Sequence, residues 1–411
     1  MSSGTRAELV LVVFVSAILS TGCWERNQAD STAAAGAPIK PDKRLLDDRI
    51  RDSRVLQDSI GAVRLSVVAT GIVLRPDTLR RWPDPGPQIV RDGHGRFFST
   101  SASERGVVLV WDAAGRFDTT LGRLGSEPGA FSRGIQLFVG PENQLYVYGS
   151  GRWSIFDSSL KRMRTVSTVV GPNLARGSST LLRDGSVLTG YNVTSERGHY
   201  FLRTALDGSV KSAIASVPAG AKASGRIRPF SGRQIAYSGG DYFWAAPMMG
   251  MGSGYMLEKW GIDGRLISSL RRNAKWFEQS LDEWPRNPET GRPPPFFPSI
   301  TEDSTGLLFV SVTIPNADWR HIKDARERER VEGQLFDVRT EVIDPSGMRV
   351  IAATGPAPRS DSLNHGFVRR FPGTRLGYVR LRTADGRFAY EIVRYELRTI
   401  TSTADAARPP G

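Results

Sequence analysis

An all-β fold built from one repeated four-strand unit is what the sequence predicts, on three observations. Tight-turn signals recur along the 411 residues; the first turn of each unit falls near 92, 141, 184, 240, 303 and 372, in steps of 49, 43, 56, 63 and 69 residues. The segments between turns are short and apolar or alternating, as in Leu145-Tyr146-Val147-Tyr148, 307–314 and 335–343, which is strand and not helix periodicity. Finally, the sixth unit supplies only three strands, over 366–371, 375–381 and 387–397, while the strand Val63–Leu74 has no local partner. Pairing the two ends closes a ring and removes exposed sheet edges.

Each unit carries two turns. The first unit has Asp92-Gly93-His94-Gly95 and then 112–115; the second has 140–143 and then 157–160, where the glycine is lost. The third has Asp184-Gly185 and Asp207-Gly208, the fourth Gly239-Gly240-Asp241 and Asp263-Gly264. The fifth has 303–306 and 344–347, the sixth Pro372-Gly373-Thr374 and Ala384-Asp385-Gly386. Asp and Gly recur because tight hairpins need residues that tolerate positive φ, and Asp accepts hydrogen bonds from its own turn. The last three steps exceed the usual repeat length of about 40–50 residues, so the later units carry insertions.

Residues 111–157 hold the clearest motif. Trp111-Asp112 leads to Gly115, the crossover LGRLGSEPGAF follows, and the stretch closes on Phe156-Asp157. The G-x-x-G-x-x-P-G-x-F crossover and the closing aromatic-Asp resemble the NHL-type repeat. That resemblance implies a six-bladed β-propeller, here closed by an N-terminal strand and decorated with short helical insertions.

The N-terminus has its own logic. Residues 9–19, LVLVVFVSAIL, are apolar but too few to span a bilayer, which takes about 20; they suit a signal-peptide core. Ser20-Thr21-Gly22-Cys23 is similar to a bacterial lipobox, although Leu19 sits one residue further from the cysteine than that family prefers. The resemblance implies cleavage after residue 22, lipidation of Cys23 and, from Trp24, the outer membrane. The alternative is an ordinary secretory signal with an incidental cysteine, the only one in the chain. Residues 28–41 read as a flexible Ala/Ser/Gly/Pro tether. Residues 42–60, with Leu45, Leu46, Ile50, Leu56 and Ile60 and the Asp47–Arg51 pair, predict a short helix. The expected organisation is therefore a signal peptide over 1–22, tether and helix over 23–61, the propeller over 62–400 and a tail over 401–411.

A net charge of +13 and a pI near 10.1 favour anionic surroundings. The arginines are dispersed, and neither an RNP-like motif nor a zinc-finger spacing occurs, so nucleic acid is not an expected partner. His94, His199, His321 and His365 stand at no metal-ligand spacing, and no G-x-S-x-G elbow is present. No metal and no cofactor are called for.

Candidate binding residues come from three insertions. In a propeller the connections between second and third strands, and between blades, share one face. Residues 247–254 (PMMGMGSG), 271–297 and 315–334 would all emerge there, on neighbouring blades. Loops on a rigid scaffold are where function concentrates. The candidates are Met248, Met249 and Met251 in the first, Trp276 and Trp284 in the second, and Trp319 and His321 in the third. Thioethers suit Cu(I), but an adaptable loop is the ordinary reading of the methionines. The aromatics suit peptide or carbohydrate docking, or simply pack on the blades. Residues 318–332 have helical character, with Trp319, Ile322 and Val331 able to face the body; the helix is either partner-facing or a solvated face. The reading is a membrane-anchored binding or scaffold propeller of the bacterial cell envelope, on the periplasmic side, with an unidentified protein or polysaccharide partner besides membrane lipid. The alternative is a propeller-type lyase or hydrolase acting on envelope sugar or peptide.

Overall fold

The computed structural model describes residues 53–400, apart from 62, 76–83, 103, 128, 132–133, 150, 169–178, 191–198, 217–231, 248–253, 278–294, 321, 323, 325–326, 328–330, 332–333, 356, 359–368 and 384–386. Three N-terminal strands come first: β1 (Arg54–Val55), β2 (Gln57–Asp58) and β3 (Val63–Leu74). Blade one is β4 (Pro85–Arg91), β5 (Phe97–Ser101), β6 (Val108–Trp111) and β7 (Phe117–Leu121). Blade two is β8 (Gln136–Val139), β9 (Leu145–Gly149), β10 (Arg152–Phe156) and β11 (Arg162–Ser167). Blade three is β12 (Ser179–Leu181), β13 (Val187–Thr189), β14 (His199–Thr204) and β15 (Val210–Ser216). Blade four is β16 (Arg233–Ala236), β17 (Tyr242–Pro247), β18 (Tyr255–Gly261) and β19 (Leu266–Arg272). Blade five is β20 (Phe296–Glu302), β21 (Leu308–Pro315), β22 (Phe336–Asp344) and β23 (Arg349–Ala353), with β24 (Ala357–Pro358) beside β22. Blade six is β25 (Arg369–Arg370), β26 (Leu376–Arg382) and β27 (Phe388–Thr399), completed by β3.

The ring is written in the core. Alternate side chains of a strand point to opposite faces, so each sheet feeds two interfaces. Leu109 and Trp111 of β6 pack with Tyr378, Tyr390 and Ile392 of blade six. Val108 and Val110 of the same strand pack with Leu137, Leu145 and Val147 of blade two. Further apolar clusters join blades two and three, three and four, four and five, and five and six. Six interfaces between six sheets make a closed six-bladed β-propeller. The N-terminal strand closes it: β3 runs antiparallel to β27 from Val63↔Thr399 to Leu74↔Tyr390.

Turn chemistry behaves as the sequence predicts. Asp112, Asp157, Asp303 and Asp344 each accept backbone N–H groups of their own turns through Oδ1. Where the second unit loses its glycine, Leu160 itself takes φ 65°. In the crossover motif Gly122 has φ 79°, and a Cβ there would collide with the Phe131 ring. Phe131 is buried between blades one and two, so that glycine lets the aromatic of the motif reach the core.

Neighbouring turns are stitched by polar side chains. Asn143 Oδ1 accepts from Gly93 N–H at 2.7 Å, and the Tyr237 hydroxyl accepts from Arg183 N–H at 3.1 Å. Buried Glu302 accepts from Ser238 Oγ (2.6 Å) and Tyr242 Oη (2.9 Å). Burial, and then the Glu302 hydrogen bond and charge, push the Tyr242 phenol up to about 12. Arg375 Nε donates to Asp303 at 2.7 Å across blades five and six.

One expectation is corrected. The helix expected over 42–60 is not present in its described part: residues 54–58 form β1 and β2, while 42–52 lie outside the described residues. β1 adds in parallel to the outer strand β19 of blade four, and β2 to β23 of blade five. Leu56 between them is buried in the interface of blades four and five. The chain thus straps the rims of two blades before entering the third as β3. Open edge N–H and C=O groups recruit the segment, and they outweigh a loose helical stripe.

Candidate functional site

The two longest connections between consecutive strands, 273–295 and 316–335, both belong to blades four and five and leave at the same end of the ring. The shorter 248–254 connection joins β17 to β18 at that end too. Antiparallel meanders place every second-to-third-strand and blade-to-blade connection on this face.

Trp276 begins the 273–295 connection and is half-buried. Its ring meets Tyr255 at 6.0 Å and Phe277 at 5.9 Å, and the Arg339 guanidinium lies 5.0 Å from its centroid. Trp319, also half-buried, packs with Phe296 against Ile322, Val331, Leu335 and Phe336. The adjacent pair Phe296-Phe297 divides the work: Phe297 enters the core of blades four and five, and Phe296 supports the 316–335 insertion. Glu327 and Val331 are helical, and Asp324 Oδ1 caps that turn by accepting Glu327 N–H at 2.7 Å. The groups this face offers to solvent include Lys275, Asp318, Arg320, Asp324 and Glu327, a mixed-charge surface over aromatic supports. Met248, Met249, Met251, Trp284, His321 and Cys23 lie outside the described residues.

Beneath the insertions is a charge cluster that sequence reasoning missed. Arg272 donates from Nε and Nη2 to both oxygens of Glu341, at 2.8 and 3.1 Å, and Arg339 Nε reaches Glu341 at 3.2 Å. Glu341 is 0% and the Arg272 side chain 3% exposed. Arg272 also holds Asp58 of the strap at 3.1 Å. Burial works against the Arg272 charge, but the Glu341 carboxylate more than offsets it, and its pKa is raised. Burial and then Glu341 push the Tyr255 phenol well above its ordinary value. Through these ion pairs Arg272 and Glu341 clamp blades four and five to each other and to the strap. No spacing in the sequence marks them, because their partners are 69 and 214 residues away.

At the other end of blade four, Asp241, Tyr242, Asp263, Arg265 and Ile267 line an open groove of about 380 Å³. His94 sits at the turn end, 3.2 Å from the Asn143 amide. Among the described residues no three His, Cys, Asp or Glu side chains converge to hold a metal.

No described protein family and no curated protein matches the sequence. Among solved structures, a Bacteroides fragilis protein named as exported matches with a TM-score of 0.53 at 11% identity, over 84% of this chain and 99% of its own. The extracellular domain of a one-component system of B. thetaiotaomicron gives 0.38 at 14% identity, over 82% of this chain and 43% of its own. The WD40 domain of Neurospora crassa Pan2 gives 0.38 at 11%, over 83% and 97%. The first likeness shows the fold; the other two add no weight.

Proposed function

We propose that this chain is a lipid-anchored binding or scaffold propeller of the bacterial cell envelope, and that it engages a protein or polysaccharide partner through the insertion face of blades four and five. The observation that carries the reading is the gathering of the two longest connections on one end of adjacent blades, above a clamp of buried charges. A rigid base with charged loops suits recognition by hydrogen bonds and ion pairs. An apolar segment before Ser20-Thr21-Gly22-Cys23 supports export and lipidation, and the B. fragilis relative in fold is named as exported. Three acyl chains at Cys23, as the lipobox resemblance implies, would make attachment effectively permanent, since each buried CH₂ adds about 0.8 kcal/mol.

Metabolic labelling with a fatty-acid analogue tests the anchor. The full chain should incorporate label and fractionate with outer membranes, and Cys23→Ser should do neither. Label retained by Cys23→Ser, or an unlabelled wild type in the soluble fraction, would refute the anchored reading.

A further inference from the structure

A second buried arginine breaks the rule that Arg272 keeps. Arg370, at the end of β25, is 6% exposed, and its guanidinium lies between the rings of Phe309 (5.2 Å) and Tyr395 (5.0 Å). Nη2 donates to Ser311 Oγ at 2.9 Å, and Ser311 in turn contacts Thr340 Oγ1 at 3.1 Å. Nε and Nη1 are enclosed and have no partner. No carboxylate pairs with Arg370 among the described residues.

The sheet face of blade five that Arg370 meets holds other unmet groups, at separate positions along it. In blade five Thr301 pairs with Phe309, Ser299 with Ser311 and Phe296 with Thr313. Alternation therefore puts Thr301, Phe309, Ser311 and Thr313 on one sheet face, the face that packs on blade six. The Oγ1 atoms of Thr301 and Thr313 are buried and also lack partners. A buried guanidinium with two unmet N–H groups calls for a bound species. Water can accept the hydrogen bonds, but it cannot neutralise the charge, and an arginine does not give up its proton in a protein.

We propose that a small monovalent anion, with chloride the fitting size, is bound between blades five and six by Arg370 Nε and Nη1. Both nitrogens offered there donate, as a halide requires. The site shares its interface with Leu65 of the closing strand, so anion binding supports ring closure.

The test uses the full-length protein at constant ionic strength. As gluconate is replaced by chloride or bromide, the Tm of the wild type should rise with the logarithm of halide concentration, as for any ligand of the folded state. Arg370→Met should show no such dependence. Crystals grown in bromide should give an anomalous peak within hydrogen-bonding reach of Nε and Nη1. A Tm indifferent to halide, or density showing only water or a carboxylate of the chain itself beside those nitrogens, would overturn the proposal. The bromide map decides the matter even where Arg370→Met fails to fold.

Discussion

Glu341 shows at the residue scale why so polar a group can sit in so apolar an interface. Its two oxygens receive Arg272, and Arg339 approaches one of them, so no charge is left alone. Removing one member of such a pair costs about 3–5 kcal/mol, because the other charge remains buried. Glu341→Gln should therefore lower the denaturant midpoint strongly, and Arg272→Met combined with Glu341→Leu should cost less than the two single changes summed. Additive losses would show that the pair acts independently. Asp303 gives a pH prediction. Burial alone would raise its pKa, but hydrogen bonds from Thr305 and Arg375 outweigh that and hold it below the ordinary value. A depressed folded pKa contributes stability above the unfolded value of about 3.9, and that contribution is lost as pH falls through the folded value. The stability difference between wild type and Asp303→Asn, from urea melts, should be present at pH 7 and shrink well below pH 4. A difference unchanged at acid pH would mean that the carboxylate charge is not what holds the turn.

Elements divide into those legible in the sequence and those that were not. The eleven described turns fall where Asp, Gly and Asn signals stand, since positive φ and self-capping leave a mark on residue type. The closing strand was legible as well: Val63–Leu74 is long, alternating and locally unpartnered, and the last unit lacks a strand. The strap was not. Its pairings are two residues each, too short for a periodicity, and Leu56 fits a helical stripe as well as an interface. Arg272, Glu341 and Arg370 were equally invisible, because among the chain's 55 Lys and Arg and 42 Asp and Glu residues nothing distinguishes them except what they meet after folding. Leu56→Ala should cost about 2–5 kcal/mol, as for other buried leucines, and should raise amide exchange in β19 and β23 before the rest of the ring. Uniform exchange would show that the strap is no separate reinforcement.

On the scale of the whole molecule, a closed ring places the charged insertions of blades four and five at one end and the tight turns at the other. A tether that reaches the ring by way of the strap attaches it through the rim of those same two blades. Binding should then be polar between the two ends. The most direct measurement is photo-crosslinking in cells, with a photoreactive residue replacing Asp318 or Arg320 on the insertion end, and Leu266 or Ile267, both exposed, on the turn end of blade four. Discrete adducts from positions 318 and 320, and none from 266 and 267, are expected. Adducts from the turn end alone would contradict a partner-binding insertion face and move the search to the groove beside Asp241 and Asp263.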